Sequence, residues 1–243
     1  MSKKVTPYKD SELGKKEQVT QMFDSISGNY DGLNRVISFG IDIKWRKRVV
    51  AILKKKQPKS ILDIATGTGD LAINMIKTGA ERIVGLDISP GMLEVGKKKV
   101  NEKKFHETIE MVVGDSENLP FDDSTFDAIT VAFGVRNFET LDKGLAEIYR
   151  VLKPSGTFVV LETSVPTKTP FKQGYYFHCN YILPLVGRLF SKDRSAYTYL
   201  SESAAVFPHG ENFNNILRKI GFIEVENKPQ TFGVASIYVA TKA

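Results

Sequence analysis

Four acidic residues stand around one glycine-rich turn. The turn reads Asp63-Ile64-Ala65-Thr66-Gly67-Thr68-Gly69-Asp70-Leu71-Ala72. Asp87 closes the next apolar stretch, and Asp115, with Ser116 beside it, follows the third. Gly67 and Gly69 permit a tight turn and close approach of a ligand to backbone. The spacing Gly67-x-Gly69-x-x-Ala72 also satisfies the dinucleotide fingerprint. The acids argue against a pyrophosphate. A phosphate at a helix start seeks N–H donors, and here it would meet the carboxylates of Asp63 and Asp70. A ligand with an ammonium, a sulfonium and no phosphate suits them, which points to S-adenosylmethionine. Asp63 would then face the ammonium, Asp87 the two ribose hydroxyls, and Asp115 the adenine amino group. Any one of these acids alone is more often a strand-end or cap residue; their common register with one turn is what carries the cofactor reading.

Alternating elements must bring these residues together. Apolar strands are expected over Ser60–Ala65, Arg82–Asp87, Ile109–Val113, Phe126–Phe133 and Thr157–Glu162. Helices are expected over Gly69–Lys77, Pro90–Asn101, Leu141–Leu152 and Asn212–Ile220, with a turn at Lys153-Pro154-Ser155-Gly156. Pro90 suits a first helical position, where its missing N–H costs nothing. Strands separated by helices imply an α/β fold with a mostly parallel sheet, right-handed crossovers and helices on both faces. Such sheets bind ligands at the carboxyl ends of their strands. Ile223–Glu226 and Ser236–Thr241 lie too close for a crossover helix and should form a C-terminal antiparallel hairpin. Residues 1–57 precede the sheet and residues 163–210 interrupt it.

The chain has 243 residues and a formal net charge of +6. The first 60 residues hold 14 Lys/Arg against 6 Asp/Glu, so the excess sits in the first quarter. Within it, the run from Trp45 to Lys56 has helical periodicity, with Trp45, Val49, Ile52 and Leu53 on one face. It reads as a docked helix with a solvated basic face, or as a contact for an anionic membrane or nucleic acid. Cys179 has no partner cysteine, and the three histidines are scattered, so neither a disulfide nor a zinc site is expected. No apolar run is long enough to span a bilayer, and the opening residues lack an apolar signal core. A cytoplasmic protein is expected.

The sequence resembles the class I methyltransferases, and among them the quinone-biosynthesis C-methyltransferases. One carrier of the resemblance is Tyr30-Asp31-x-x-Asn34-x-x-x-Ser38-x-Gly40-x-x-x-x-Trp45. Another is Phe133-Gly134-Val135-Arg136-Asn137, followed by Tyr149-Arg150-Val151-Leu152-Lys153-Pro154-Ser155-Gly156. Tyr197-Thr198-Tyr199-Leu200, Phe207-Pro208 and Gly233-Val234-Ala235 extend it over nearly the whole chain. It implies a Rossmann-like domain over residues 58–243, an N-terminal helical lid over 1–57, and cofactor contacts at Thr68, Asp87, Asp115 and Ser116. Ala65, Ala132 and Ser155 depart from the pattern, Ala65 and Ser155 at positions where glycine is usual.

The resemblance further implies methylation of a polyprenyl quinol ring, most directly demethylmenaquinol, with the ubiquinol precursor as alternative or second acceptor. Ionising a hydroquinone puts negative charge on the adjacent ring carbon, so the enzyme must favour the phenolate and release a proton. Arg136, at the sheet edge that holds the cofactor, suits the first task because it stays charged. Asn137 would orient a water that takes the proton. The competing reading pairs Arg136 with an acid and makes Asn137 a helix cap. Tyr30 would line the acceptor pocket or, as an equal alternative, be a core aromatic. Nine aromatics in residues 171–207, Tyr176 among them, together with Leu183-Pro184-Leu185-Val186, suggest an apolar cap for the acceptor. The basic first quarter would meet an anionic membrane at the inner face. An RNA methyltransferase is disfavoured by the absence of an Asn/Asp-Pro-Pro-aromatic turn; another small-molecule acceptor and a non-catalytic scaffold are the remaining alternatives. A homodimer is compatible with the sequence, which does not fix the oligomeric state.

Overall fold

The computed structural model describes residues 5–182 and 194–243. Its centre is a seven-stranded sheet in the order β3-β2-β1-β4-β5-β7-β6. The strands are β1 (Ser60–Ile64), β2 (Arg82–Asp87), β3 (Ile109–Val113), β4 (Phe126–Ala132), β5 (Leu152–Thr163), β6 (Phe222–Gln230) and β7 (Ala235–Lys242). The first five pair in parallel; β7 runs antiparallel to both β5 and β6. The expected hairpin therefore forms, but β7 inserts between its partner and the parallel sheet. Pro229 is tolerated in β6 because that strand is the sheet edge.

The parallel strands are apolar along their length, since helices cover both faces. One face carries α6 (Leu141–Val151) and α9 (Glu211–Ile220), packed through Leu145, Ile148, Phe213 and Leu217. The other carries α3 (Ile41–Lys56), α4 (Asp70–Met75) and α5 (Pro90–Glu102), packed through Trp45, Val49, Leu53, Leu71 and Leu93. The expected face of α3 is thus the docked one. Its basic residues are exposed except Arg46, which is buried and paired with Asp42.

A third cluster sits beyond the strand ends. It joins α1 (Lys15–Ile26), α2 (Tyr30–Ile37), α5 and α8 (Arg194–Val206) through Val19, Met22, Leu33, Met92 and Tyr199. It draws the N-terminal helices over the carboxyl edge of the sheet. A short helix α7 (Phe171–Phe177) continues as one wider turn over His178–Ile182. Leu183-Pro184-Leu185-Val186, Phe190 and the side chain of Tyr197 lie outside the described residues.

The turn expected at Lys153–Gly156 falls inside β5 as a bulge. Phe126 pairs with Leu152 and Ala128 next pairs with Thr157, so the intervening residues loop out. Among the described residues, no helix is long and apolar enough to cross a membrane.

Candidate active site

Two cavities meet at the carboxyl edge of the sheet. The first has about 690 Å³ of empty space and is lined from the strand ends: Ala65 and Gly67 after β1, Asp87 at the end of β2, Asp115 and Ser116 after β3, and Ala132–Gly134 after β4. Lys16, Val19 and Phe23 of α1 close it from above. Asp87 is buried, and its two oxygens accept the N–H groups of Gly67 (2.7 Å) and Ser89 (2.9 Å). Burial raises its pKa, with those N–H bonds opposing. Its remaining lone pairs suit a hydroxyl donor. Asp115 accepts the N–H of Glu117 (2.9 Å) and the ammonium of Lys16 (2.7 Å). That lysine bond was not legible in the sequence, because it spans 99 residues.

Gly67 and Gly69 both have positive φ, +58° and +77°. Gly67 lies on the cavity, whereas a Cβ on Gly69 would sit 2.6 Å from the Met111 methyl. Gly69 therefore shapes the turn without lining the cavity. Ala65 also has positive φ, +52°, which explains the preference for glycine there.

Two expected cofactor contacts face elsewhere. Thr68 is buried, and its hydroxyl donates to Asp31 of α2 (2.6 Å) and receives Lys99 Nζ (3.2 Å). Asp63 lies beneath the turn, with Thr66 (2.7 Å) and Thr130 (2.6 Å) donating to its oxygens. Burial raises its pKa to about 6. Both side chains are consumed by tertiary partners, so neither lines the cavity. Glu117 escaped the sequence reading; buried, it accepts the N–H groups of Glu139 (2.7 Å) and Thr140 (2.9 Å) and holds the loop before α6.

The second cavity encloses about 900 Å³ of space, part of it open to solvent. Tyr30 and Phe133 belong to the linings of both cavities and stand between them. The second is lined further by Ile37, Trp45, Arg136, Tyr175, His178 and Leu200. Arg136 is buried against Glu162 (2.5 Å) and donates to the Phe133 carbonyl (2.8 Å). Its Nε has no partner among the described residues. Burial works most strongly against its charge, but Glu162 together with Tyr30 and Tyr199 outweighs this and raises the pKa.

Asn137 lines the first cavity instead, and its Oδ1 accepts the Tyr199 hydroxyl (3.1 Å). The expected pair is therefore split across the dividing wall by the short helical turn Val135–Asn137. The acid pairing weighed for Arg136 is present, with Glu162 as its partner. Tyr176 is exposed and touches Tyr175 edge-on, with ring centroids 5.9 Å apart. Tyr175 lines the cavity in its place, because one residue along a helix turns the side chain by about 100°.

The chain matches the model of the ubiE/COQ5 methyltransferase family over residues 11–242. The chain belongs to this family. It is 46% identical over 241 residues to a demethylmenaquinone methyltransferase of Bacteroides fragilis, covering 98% of each chain. It is 40% identical to a ubiquinone/menaquinone biosynthesis C-methyltransferase of Geobacter sulfurreducens, covering 99% of this chain and 93% of that one. A solved SAM-dependent methyltransferase from Thermotoga maritima aligns with a TM-score of 0.62 at 19% identity, covering 92% of this chain and 99% of that one. That likeness establishes the fold. The ubiE/COQ5 member described here is thus a methyltransferase of the Rossmann-like class I type, with S-adenosylmethionine as methyl donor. The first cavity fits that donor: its carboxylates, buried Asp87 and partly exposed Asp115, can accept from hydroxyl and amino groups, and Gly67 exposes backbone beside them.

Proposed function

We propose that this enzyme methylates a ring carbon of a polyprenyl quinol, with demethylmenaquinol as acceptor. The observation that carries the reading is Arg136, its side chain buried and paired with Glu162, on the wall of the second cavity beside the acid-lined one. The names of the Bacteroides and Geobacter relatives support the same acceptor class.

When bound, S-adenosylmethionine supplies a methyl group on a sulfonium, ready for in-line displacement. In the reading proposed here, Asp87 holds the ribose hydroxyls, and Asp115 with Ser116 receives the adenine. Arg136 favours the quinol oxyanion, because its charge persists throughout the working range. Ionisation of the hydroxyl places negative charge on the adjacent ring carbon. That carbon would take the methyl group that the bound donor supplies, and loss of its hydrogen would restore the aromatic ring. One proton is released overall. Asn137, held by Tyr199, is suited to orient a water that carries it away. Tyr30 and Phe133 exclude bulk water between the two cavities. Tyr175 takes the acceptor-lining place expected of Tyr176. Residues 1–57 act as a lid and 163–210 as the acceptor cap. The enzyme works in the cytoplasm, on a quinol and not on nucleic acid, and meets its substrate at the anionic inner membrane face.

Labelled S-adenosylmethionine with demethylmenaquinol and with the ubiquinol precursor, assayed separately, tests the proposal. Label in methylated menaquinol is the expected result. Label in both products extends the acceptor range, as the Geobacter relative's name describes for that protein. Binding of the donor with no transfer to either quinol overturns the acceptor assignment.

A further inference from the structure

Five aromatic side chains are exposed around the second cavity. Phe39 (74% exposed) and Phe232 (68%) stand at turn tips, and Phe177 (58%) and Tyr181 (65%) on the α7 segment. The half-turned ring of Phe171 stacks on Phe232 with centroids 3.8 Å apart. Three of them stand close in the chain to residues that line the cavity. Phe39 follows Ser38 and packs its ring against His178, with centroids 5.8 Å apart; Phe177 precedes His178; Phe232 is two residues from Val234. Exposed apolar clusters of this kind mark interaction surfaces.

The backbone at both tips is unusual. Phe39 has φ +50° and Phe232 has φ +58°. Bulky residues rarely occupy this left-handed region, and a strained outlier points to function. Each ring touches one aromatic partner, His178 for Phe39 and Phe171 for Phe232, and stays mostly exposed.

The charge around the cluster has one sign. Across residues 36–48, 163–182 and 231–235 the only acid is Asp42, which is buried and paired with Arg35 and Arg46. Lys44, Lys47, Arg48, Lys168 and Lys172 of the same stretches are exposed. Aromatics flanked by lysine and arginine, with no exposed acid within these three stretches, complement an anionic lipid surface.

We propose that this aromatic rim is the face that docks on an anionic bilayer, with Phe39, Phe177 and Phe232 entering the headgroup region. The second cavity then opens toward the leaflet. The quinol ring enters from the membrane while its prenyl tail stays among the lipid chains. The inference rests on the quinol reading above and adds where the substrate comes from.

The test separates the two. Wild-type enzyme and two variants, F39S/F232S and K168E/K172E, are floated with vesicles of phosphatidylglycerol and phosphatidylethanolamine, and with vesicles of phosphatidylcholine alone. In parallel, methyl transfer is measured to a short-tailed demethylmenaquinol in solution and to a long-tailed one in vesicles. The expected result is wild-type binding to the anionic vesicles alone, weakened about tenfold or more in each variant. Each variant should keep the wild-type rate with the short-tailed acceptor and lose most of it with the long-tailed acceptor. The retained rate also shows that the variants fold. Equal vesicle binding by wild type and both variants, alongside normal short-tail turnover, overturns the docking face and leaves the quinol reading intact. Loss of self-association in F39S/F232S with unchanged vesicle binding assigns the rim to a second copy and overturns the proposal. No turnover by wild type with either acceptor fails the quinol reading, whatever the vesicles show.

Discussion

At the scale of single residues, Arg136 and Asp63 illustrate opposite uses of a buried charge. Arg136 is matched by Glu162 and lines the acceptor cavity. Arg136→Ala should reduce kcat by about 10²-fold or more, the usual effect of losing one oxyanion donor, while the donor Kd stays close to wild type. Arg136→Lys should recover only part of the rate, because a point charge cannot bond Glu162, the Phe133 carbonyl and a ligand in the same fork geometry. Equal, small losses in kcat and donor affinity would reduce Arg136 to a structural ion-pair partner. Asp63 forms no ion pair among the described residues, and burial holds its folded pKa at about 6, above the ordinary aspartate value, despite the nearby charge of Arg46. The folded state therefore keeps a proton that the unfolded chain has lost, and stability falls as pH rises from about 4 to 6. Asp63→Asn should remove that cost. Its stability relative to wild type should improve between pH 4 and pH 7 by on the order of 2 kcal/mol. Urea unfolding at the two pH values measures it, and a gap independent of pH would refute the assignment.

At the scale of elements, the bulge in β5 and the roof helix α1 make separate predictions. Ser155 stands in the bulge with φ +61° and an exposed side chain. Relief of the left-handed strain in Ser155→Gly should stabilise the protein by about 0.5–1 kcal/mol, net of glycine's greater unfolded freedom. A fall in Tm would show that Ser155 makes a bond worth more than the strain. The helix α1 reaches across the first cavity through two lysines. Lys15 donates to the carbonyls of Arg136 (3.0 Å) and Phe138 (2.8 Å), and Lys16 to Asp115 (2.7 Å). The Asp115 bond raises the Lys16 pKa, so the ion pair persists at neutral pH. The pair is partly exposed, so Lys16→Ala should cost under about 1 kcal/mol of stability. Stopped-flow binding should show faster association and faster dissociation of S-adenosylmethionine, because the roof opens more readily. Unchanged rates would mean that the apolar face of α1 alone holds it closed.

At the scale of the whole molecule, the first cavity draws on β1, β2, β3, β4, α1 and the turn before α6. A ligand there binds the folded chain and not the unfolded one. Saturation with S-adenosylmethionine at about 100 times its Kd should stabilise the protein by about 2.7 kcal/mol. For a chain of this size that is a rise in Tm of roughly 5–10 °C. Asp87→Ala should abolish most of the rise without lowering the unliganded Tm by a comparable amount. A full rise in that variant would remove Asp87 from the donor site. The donor and acceptor cavities meet at Tyr30 and Phe133, one from α2 and one from the end of β4. Relative placement of these two elements therefore governs the reaction distance. The bond from Thr68 to Asp31 (2.6 Å), joined by Lys99 (2.8 Å to Asp31), fixes α2 to the glycine turn.

The sequence by itself determined the alternating strands and helices, the glycine turn, and three acids at successive strand ends. Those follow from short-range patterns: period-two and period-3.6 hydrophobicity, turn chemistry, and the rule that parallel strands share one ligand-binding edge. It also carried Arg136 and Asn137 to that edge. The tertiary structure alone decided which way the side chains turned. Asp31 lies 37 residues from Thr68 yet captures its hydroxyl, so Thr68 leaves the cofactor cavity. Tyr199 lies 62 residues from Asn137 and holds it on the donor side, while Glu162 holds Arg136 on the acceptor side. The phase of α7 admits Tyr175 and excludes Tyr176. The insertion of β7 between β5 and β6 likewise depends on which edge remains open once the parallel strands have assembled. Each outcome is a competition between partners distant in sequence, settled by packing and hydrogen-bond geometry that no local pattern encodes.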